Sequence, residues 1–466
     1  MLGFRDASCL PHHLGTNPIF FHNPNRMNTT TFWHKLALFV ALAAYMPALF
    51  AQAGSFEGFL KPKEGFKVEP YVMLQLWSTY SMGHELYNAT TKQYEPVDDR
   101  LNFLFRRARV GFKMQPYENL RFNAVLAYDA TGRDVHTGTV GSTNNGSIPS
   151  VGIFDAYLEW RIKPKSEKFN LVAGFFRPQL SRESITTAWQ TSSMEKAATQ
   201  TYVRQHTTGV GPGRVVGMNL GGLLKSESEK VVLNYNLGIF NPSYTSNSGN
   251  SAGTQFAPLL AGRAVLSLGD PEIKQYGIAY NMNYFNQRKG ISIALSGSRQ
   301  GKTDVFQHAA TLGTDLLLNY DHLNVTAEYQ QLYRQGHRND SGEQPKTFNY
   351  LSHVGHVRAG YNLAVGKKYF IEPSLMYMHF AGAKDAEGQA NAALVKASSG
   401  TETTYDAGIN WYLNEKKLKV LLHYTWRAGD PGAAGDGATV NEYFYQSGVG
   451  AIRRGNWLGL GVNAIF

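Results

Sequence analysis

The chain has 466 residues, and 13% of them are aromatic. That aromatic content excludes a disordered chain, and a mean hydropathy of −0.31 excludes a protein built from many apolar transmembrane helices. Cys9 is the only cysteine, which rules out a disulfide framework and a cysteine-ligated zinc site. The formal net charge is +10, but no run of Lys and Arg exceeds two residues, which argues against nucleic-acid binding.

The first part of the chain resembles an export signal. Residues 36–50 form the only long apolar run, Lys35 precedes it, and the small residues favoured by signal peptidase follow at 51–53. We therefore expect a signal peptide over residues 27–53, an upstream extension outside the natural protein over 1–26, and a short periplasmic lead-in over 54–65. A membrane anchor is the alternative, although a run of 15 residues is short for a membrane span.

From residue 66 to the end, segments of about ten residues alternate between apolar and polar side chains. Residues 119–130, 153–162, 404–414 and 417–427 are clear examples. Alternation with period two predicts β-strands, and it fits either a soluble sandwich or a membrane barrel. The polar faces carry full charges in mid-strand, and the apolar faces often end in Tyr or Trp, which favours a barrel in a membrane.

Connections between the predicted strands alternate between short turns and long loops rich in Gly, Ser and Asn. This asymmetry is typical of outer-membrane barrels, and only closed barrels satisfy all strand backbone groups in lipid. The predicted fold class is all-β, a transmembrane antiparallel β-barrel over residues 66–466. The pattern contains 17 candidate strands, and we reject the one within residues 269–290 because it breaks the up-and-down order, which leaves 16.

The C-terminal strand supports this assignment. Leu458, Leu460, Val462 and Ala464 alternate, and the chain ends on Phe466. A terminal aromatic residue on an amphipathic strand resembles the signal recognised by the outer-membrane assembly machinery. We expect the mature protein in the outer membrane of a Gram-negative bacterium, in contact with its lipid.

A long strand-free stretch, residues 179–206, lies between the fifth and sixth predicted strands. We expect this third outer loop to fold into the lumen and to carry a short helix within residues 184–199. The alternative is a loop that covers the rim. The predicted constriction cations of this region are Arg177, Arg182, Lys196 and Arg204.

Strand parity also places a set of cations inside the barrel, where they avoid a cost of roughly 2–4 kcal/mol for burial in lipid. Arginine suits phosphate because its planar fork donates two parallel hydrogen bonds. The alternative is that these residues pair with lumen carboxylates, Glu159 with Arg161 for example. The predicted channel-lining cations are Arg107, Arg109, Lys113, Arg121, Arg161, Arg263 and Arg358.

Several segments, in order, resemble the phosphate-selective porin O/P family, in a form similar to its Bacteroidetes members. They are Asp155-Ala156-Tyr157, Gly174-Phe175-Phe176-Arg177-Pro178, Met194-Glu195-Lys196, Gly209-Val210-Gly211-Pro212-Gly213-Arg214, Glu328-Tyr329, Glu372-Pro373 and Gly408-Ile409-Asn410-Trp411-Tyr412-Leu413. The resemblance implies a homotrimer of 16-stranded barrels, each narrowed by its third loop. It also implies that the Arg106-Arg107 pair belongs to the pore.

The expected function is passive diffusion of small anions, with phosphate or polyphosphate suspected, through a water-filled channel. The alternative is a general porin, or one for sugars or carboxylates, without phosphate selectivity. We expect no enzyme and no cofactor, because the histidines have no Ser or Asp partner at a telling spacing, and the sequence contains no nucleotide-binding glycine motif.

Overall fold

The computed structural model describes residues 63, 66, 68–137, 151–209, 211–242, 252–338, 345–366, 368–437, 440, 443–446 and 449–466. These residues form a closed antiparallel barrel of 16 long strands, as predicted. The strands are β1 Val68–Met82, β2 Arg100–Tyr117, β3 Leu120–Thr131, β4 Gly152–Arg161, β5 Asn170–Phe176, β6 Val215–Lys225, β7 Val231–Phe240, β8 Leu259–Gly269, β9 Gly290–Gln300, β10 His308–Tyr320, β11 Leu323–Arg338, β12 Lys346–Tyr361, β13 Tyr369–Ala381, β14 Thr401–Asn414, β15 Leu418–Asp430 and β16 Asn456–Ile465.

Pairing between the first and last strands closes the barrel. Met73 of β1 lies opposite Ile465 of β16, and the same strand pairs along its other edge with β2. Backbone hydrogen bonds between Val72 and Phe466 extend this seam to the chain end. Closure leaves no unpaired edge within the membrane, which is the condition for a sheet in lipid. The predicted signal peptide at 27–53 and extension at 1–26 lie outside the described residues.

Side chains alternate between the lipid-facing surface and the lumen. On β14, Ile409 and Trp411 are exposed on the outer surface, whereas Asn410 and Tyr412 are buried inside the barrel. The other strands follow the same rule, so the outer surface is apolar and the lumen polar, as a membrane barrel requires.

Several ladders contain a register shift, and two of these shifts are β-bulges that reverse a side chain. The ladder between β3 and β4 pairs Asp155 with Val125 but Ile153 with Leu126, so Phe154 is the extra residue. Phe154 is buried inside the barrel, whereas strict alternation over residues 153–162 predicts it on the lipid face together with Ala156 and Leu158, which is wrong for Phe154. On β2, a bulge at Arg106 turns both Arg106 and Arg107 inward, because the extra residue shifts the alternation by one.

The ends of the barrel carry a few further elements. Two short hairpins, Glu85–Asn88 with Gln93–Pro96 and Tyr443–Gln446 with Gly450–Arg453, form a four-stranded sheet at the long-loop end. The remaining elements are α1 Arg182–Ile185, α2 Thr199–Thr208, α3 Ala386–Leu394, the 3₁₀ turns Val135–Thr137, Ala188–Gln190 and Gly432–Gly437, and a short strand, Leu363–Val365. No helix among the described residues has the length and apolar character needed to cross a membrane.

Residues 270–289 form a long connection at the end of the barrel where all other turns are short. This segment contains no strand, which confirms the decision to reject one there. Gly269 and Gly290 pair directly, so the pairing of β8 and β9 is complete at these residues. The segment between them is therefore not needed to form the hairpin. It folds into the lumen, where the Tyr276 hydroxyl group bonds to the side chains of Asn219 and Asn236.

The backbones of β4 and β5 approach each other closely at Gly174 of β5. Its φ is +134°, and a Cβ atom there would lie 2.3 Å from the Ala156 carbonyl oxygen and 2.7 Å from the Tyr157 Cα atom. We expect Gly174→Ala to destabilise the barrel by about 1–3 kcal/mol from backbone strain, with the backbone clash in addition. The measurement is the urea midpoint of unfolding in detergent micelles.

Gly262→Ala on β8 is the matched control. A Cβ atom there meets its nearest neighbour, the Leu237 Cδ2 atom, at 3.4 Å, so this variant should unfold like the natural protein. Equal midpoints for the two variants would contradict the close backbone contact inferred at Gly174.

Candidate functional site

The loop between β5 and β6, residues 177–214, crosses the inside of the barrel. Nearly all of its described side chains are buried, which confirms the predicted inward fold and excludes a loop over the rim. The Ser181 hydroxyl oxygen caps α1 by accepting a hydrogen bond from the Ser184 amide. Within 184–199, where we expected a short helix, the structure has the 3₁₀ turn Ala188–Gln190, and the longer helix, α2, begins at Thr199.

Two carboxylates of this loop hold it against different walls of the barrel. Glu183 accepts hydrogen bonds from Arg358 of β12, the shortest at 2.7 Å. Glu195 accepts bonds of 2.6 Å from both Arg106 and Arg107 of β2. Charge-assisted hydrogen bonds of this kind are strong and directional. The loop is therefore fixed at two points across the lumen.

A third anchor connects the loop to the segment at 270–289. Arg182 contacts Glu272 of that segment at 2.7 Å and Asp315 of β10 at 2.7 Å. Asp315 also pairs with Arg263 at 2.8 Å. Consequently Arg182, Arg263 and Arg358, three of the predicted selectivity cations, hold the structure together and do not line the open space.

Three cavities bordered by the described residues follow one another through the lumen. An outer cavity of about 40 Å³ shares Lys196 and Gln200 with a central cavity of about 420 Å³. The central cavity shares Lys113, Tyr157 and Ile278, among others, with an inner cavity of about 540 Å³ near the short-turn end. Consecutive cavities share wall residues, so we take this series, from the loop end to the turn end, as the candidate route through the lumen.

The central cavity is strongly basic. Seven cationic side chains and two carboxylates belong to its wall. The carboxylates are Glu69 and Asp155. The cations are Arg107, Arg109, Lys113, Arg177, Lys196, Arg204 and Arg214.

Three cations of the loop itself face this cavity without a carboxylate partner among the described residues. Lys196 donates to the Thr186 carbonyl oxygen at 2.6 Å, and Arg177 donates to the Pro212 carbonyl oxygen at 3.4 Å. Arg204 donates to the hydroxyl and carbonyl oxygens of Ser184. Carbonyl groups position these cations but do not neutralise their charge, so all three add to the positive charge of the wall.

Phe154 organises two further arginines of the wall. The guanidinium carbons of Arg109 and Arg214 lie 3.5 Å and 3.3 Å from the centroid of its ring, a cation–π arrangement. Arg109 pairs with Asp129 and Arg214 with Asp155. Sequence reasoning missed Phe154, which the bulge turned inward, and Arg214, which lies in the Gly-rich motif after α2.

The other predicted cations lie at different points of the lumen. Lys113 faces the central and inner cavities, with its ammonium nitrogen 5.2 Å from the Tyr71 ring centroid. Arg121 belongs to the inner cavity and pairs with Glu159 at 3.0 Å. Arg161 pairs with Glu167 of the adjoining turn; the predicted Glu159–Arg161 pair was therefore wrong.

Two glycines explain the motif at 209–214. Gly209 ends α2 in the left-handed conformation with φ of +71°, a common helix terminus. At Gly213, φ is +69° and a Cβ atom would lie 2.3 Å from the Arg204 Cγ atom. The missing side chain at 213 therefore leaves room for Arg204 to reach the cavity.

The charge of Lys196 depends on its surroundings in the loop. Burial, together with nearby Arg204 and Arg177, lowers the pKa of its ammonium group well below the usual range. A lowered pKa means that this charge is lost at a lower pH than for an ordinary lysine. Its contribution to the potential therefore falls as the pH rises.

Comparison with known proteins agrees with this architecture. The model of a family described as phosphate-selective porin O and P matches residues 84–437. The structure of OprB from Pseudomonas putida is 11% identical, and the match covers 86% of this chain and 94% of that one with a TM-score of 0.51. The structure of OmpF from Salmonella typhi, in complex with daunomycin, is 13% identical, and the match covers 86% of this chain and 98% of that one with a TM-score of 0.50. None of the curated proteins matches the chain.

The unpaired loop cations provide a direct test of the route. We expect Arg177→Gln combined with Arg204→Gln to lower the chloride-to-potassium permeability ratio severalfold, because two uncompensated charges leave the wall. The measurement is the reversal potential in a planar bilayer across a potassium chloride gradient.

Arg334→Gln is the matched control. Arg334 is also buried and donates to backbone carbonyl groups, those of His206, Val395 and Lys396, but it is not part of the wall of any of the three cavities. The permeability ratio should stay unchanged. An equal loss in both variants would show that the cavity route does not determine selectivity.

The segment at 270–289 should limit conductance. Because Gly269 and Gly290 pair directly, a two-residue Asn-Gly turn can replace the segment. We expect a higher single-channel conductance, since the segment occupies lumen space. Replacing the exposed turn at 226–230 in the same way is the control and should not change conductance. An unchanged conductance in the first variant would show that the segment at 270–289 does not limit conductance.

Proposed function

The chain belongs to the phosphate-selective porin O and P family and is an outer-membrane channel, and on this basis we propose that small anions, phosphate among them, diffuse passively through its three cavities. The observation that carries the proposal is the charge of the central cavity, where cations outnumber carboxylates seven to two. Rings of charged side chains at a constriction determine ion selection in pores.

The positions of the cations suit stepwise passage. Lys196 belongs to the outer and central cavities, and Lys113 belongs to the central and inner ones. An anion that leaves one cavity therefore meets a positive charge that also borders the next cavity. Weak sites in series favour both entry and release, which conduction requires.

The arginines of the central cavity supply the chemistry for an oxyanion. A guanidinium group presents a planar fork of donors that matches the oxygens of phosphate or carboxylate. Arg177 and Arg204 provide this fork without a competing carboxylate among the described residues. Potentials of this kind also raise the local anion concentration near the entrance.

Three further properties are part of the proposal. The chain assembles as a homotrimer, as the family resemblance implies. The assembly machinery recognises its C-terminal strand, in which Phe466 is 75% exposed at the chain end. Residues 27–53 act as the signal peptide that directs export, as their apolar run and small residues suggest.

The proposal is tested with the purified protein in planar bilayers. The expected reversal potential across a potassium chloride gradient is anion-selective, and added phosphate should reduce the chloride current by occupying the same cations. A reversal potential near zero would instead favour a general porin whose arginines are neutralised by their carboxylate partners. Chloride selectivity without any effect of phosphate would leave an anion channel that does not bind phosphate.

A further inference from the structure

The wall of the central cavity departs from the polar lumen expected of a porin. Lumen-facing side chains of such barrels are normally polar. Here Met73 of β1, Val125 of β3 and Phe154 of β4 turn apolar groups towards the cavity, and all three belong to one cluster. Val125 and Phe154 are each 3% exposed.

The loop and the inner segment add apolar groups to the same cavity. Ile185 and Ala188 come from the loop, and Ile278 comes from the segment at 270–289. Each of them is buried, with 6–7% of its surface exposed. Three separate parts of the chain therefore contribute apolar surface to one space, which is more than the packing of a single pair of strands requires.

Cationic and apolar groups lie close together in this wall. The Arg177 guanidinium carbon is 5.6 Å from the Phe154 ring centroid. Arg109 and Arg214 lie over that ring, and Met73, Val125 and Ile185 are further apolar side chains of the same wall. A molecule whose charged end contacts Arg177 can place an attached apolar body against these side chains.

Inorganic phosphate does not use such a wall. It is strongly hydrated and needs a hydrogen-bond donor for each water molecule that it gives up, which apolar side chains cannot supply. The volume, about 420 Å³, also lies in the range of roughly 300–1,000 Å³ that is typical of pockets for small organic molecules.

We propose that the central cavity is a binding site for organic carboxylates with an apolar body, such as aromatic monocarboxylates, which it binds more strongly than inorganic phosphate. This inference rests on the proposed function, because it assigns a substrate class to the same anion route. The carboxylate contacts the loop cations, and the apolar body replaces water next to Val125, Met73 and Ile185.

The experiment measures how strongly benzoate, acetate and phosphate each block the chloride current of the whole protein in a planar bilayer. Benzoate and acetate carry the same charge, so a difference between them reports the apolar wall. We expect benzoate to block at a concentration roughly tenfold lower than acetate, since its ring buries additional apolar surface. Phosphate should block more weakly than benzoate.

Two variants with the same chemical change locate the effect. Val125→Thr should raise the half-blocking concentration of benzoate about threefold and thereby reduce the preference over acetate. Val172→Thr, on β5, is the control, because Val172 is equally buried but is not part of the cavity wall. It should leave the preference unchanged.

The outcomes distinguish failure of the organic-anion site from failure of the proposed anion channel. Equal block by benzoate and acetate, or stronger block by phosphate, in a channel that remains anion-selective would overturn the organic-anion site and leave the anion channel intact. An equal loss of preference in Val125→Thr and Val172→Thr would also overturn the site. A reversal potential near zero would overturn the proposed function itself.

Discussion

The ion pairs that hold the loop at 177–214 across the lumen are the interaction on which the interior depends. Glu183 is bound by Arg358 of β12 and Glu195 by Arg106 and Arg107 of β2. These strands lie six positions apart by the shorter way around the barrel. Removing one partner of a buried pair leaves a charge that costs several kcal/mol, so each anchor strongly favours the inward position of the loop. With the loop fixed in this way, its other cations face the central cavity.

The lumen cations consequently fall into two groups that residue type does not distinguish. Arg263 and Arg358 are neutralised by Asp315 and Glu183 and act as structural supports. Arg177 and Arg204 donate to uncharged oxygens, so their positive charge is not neutralised by these contacts. Strand parity correctly placed the strand cations inside, because a charge in lipid is costly. Parity contains no information on which carboxylate lies across the lumen, so the division between the groups could not be predicted.

The strand number and the two faces followed from the sequence because period-two alternation persists over most strands, and the inward loop was expected from its long strand-free stretch. Two local features were not foreseen, namely the bulges and the inward course of the segment at 270–289, although that segment was correctly rejected as a strand. The bulges at Arg106 and Phe154 shift the alternation by one residue, and nothing in the residue pattern marks an extra residue. The segment at 270–289 alternates like a strand, with Tyr276, Ile278 and Tyr280 on one side, yet the Gly269–Gly290 pair closes the hairpin before it. Its alternating groups pack inside the lumen instead.

The closing seam between β1 and β16 has a consequence for how the barrel folds. Met73 and Ile465 stand opposite each other although almost the whole domain separates them in sequence, so this pairing has a very high contact order and a large loop-closure entropy. Until it forms, β1 and β16 each expose an open edge that can pair with another chain. The stacked rings of Trp77 and Trp457, 5.7 Å apart across the seam, stabilise the closed form. We therefore expect closure to be a slow step of folding and an unfinished barrel, with both edges open, to be prone to aggregate.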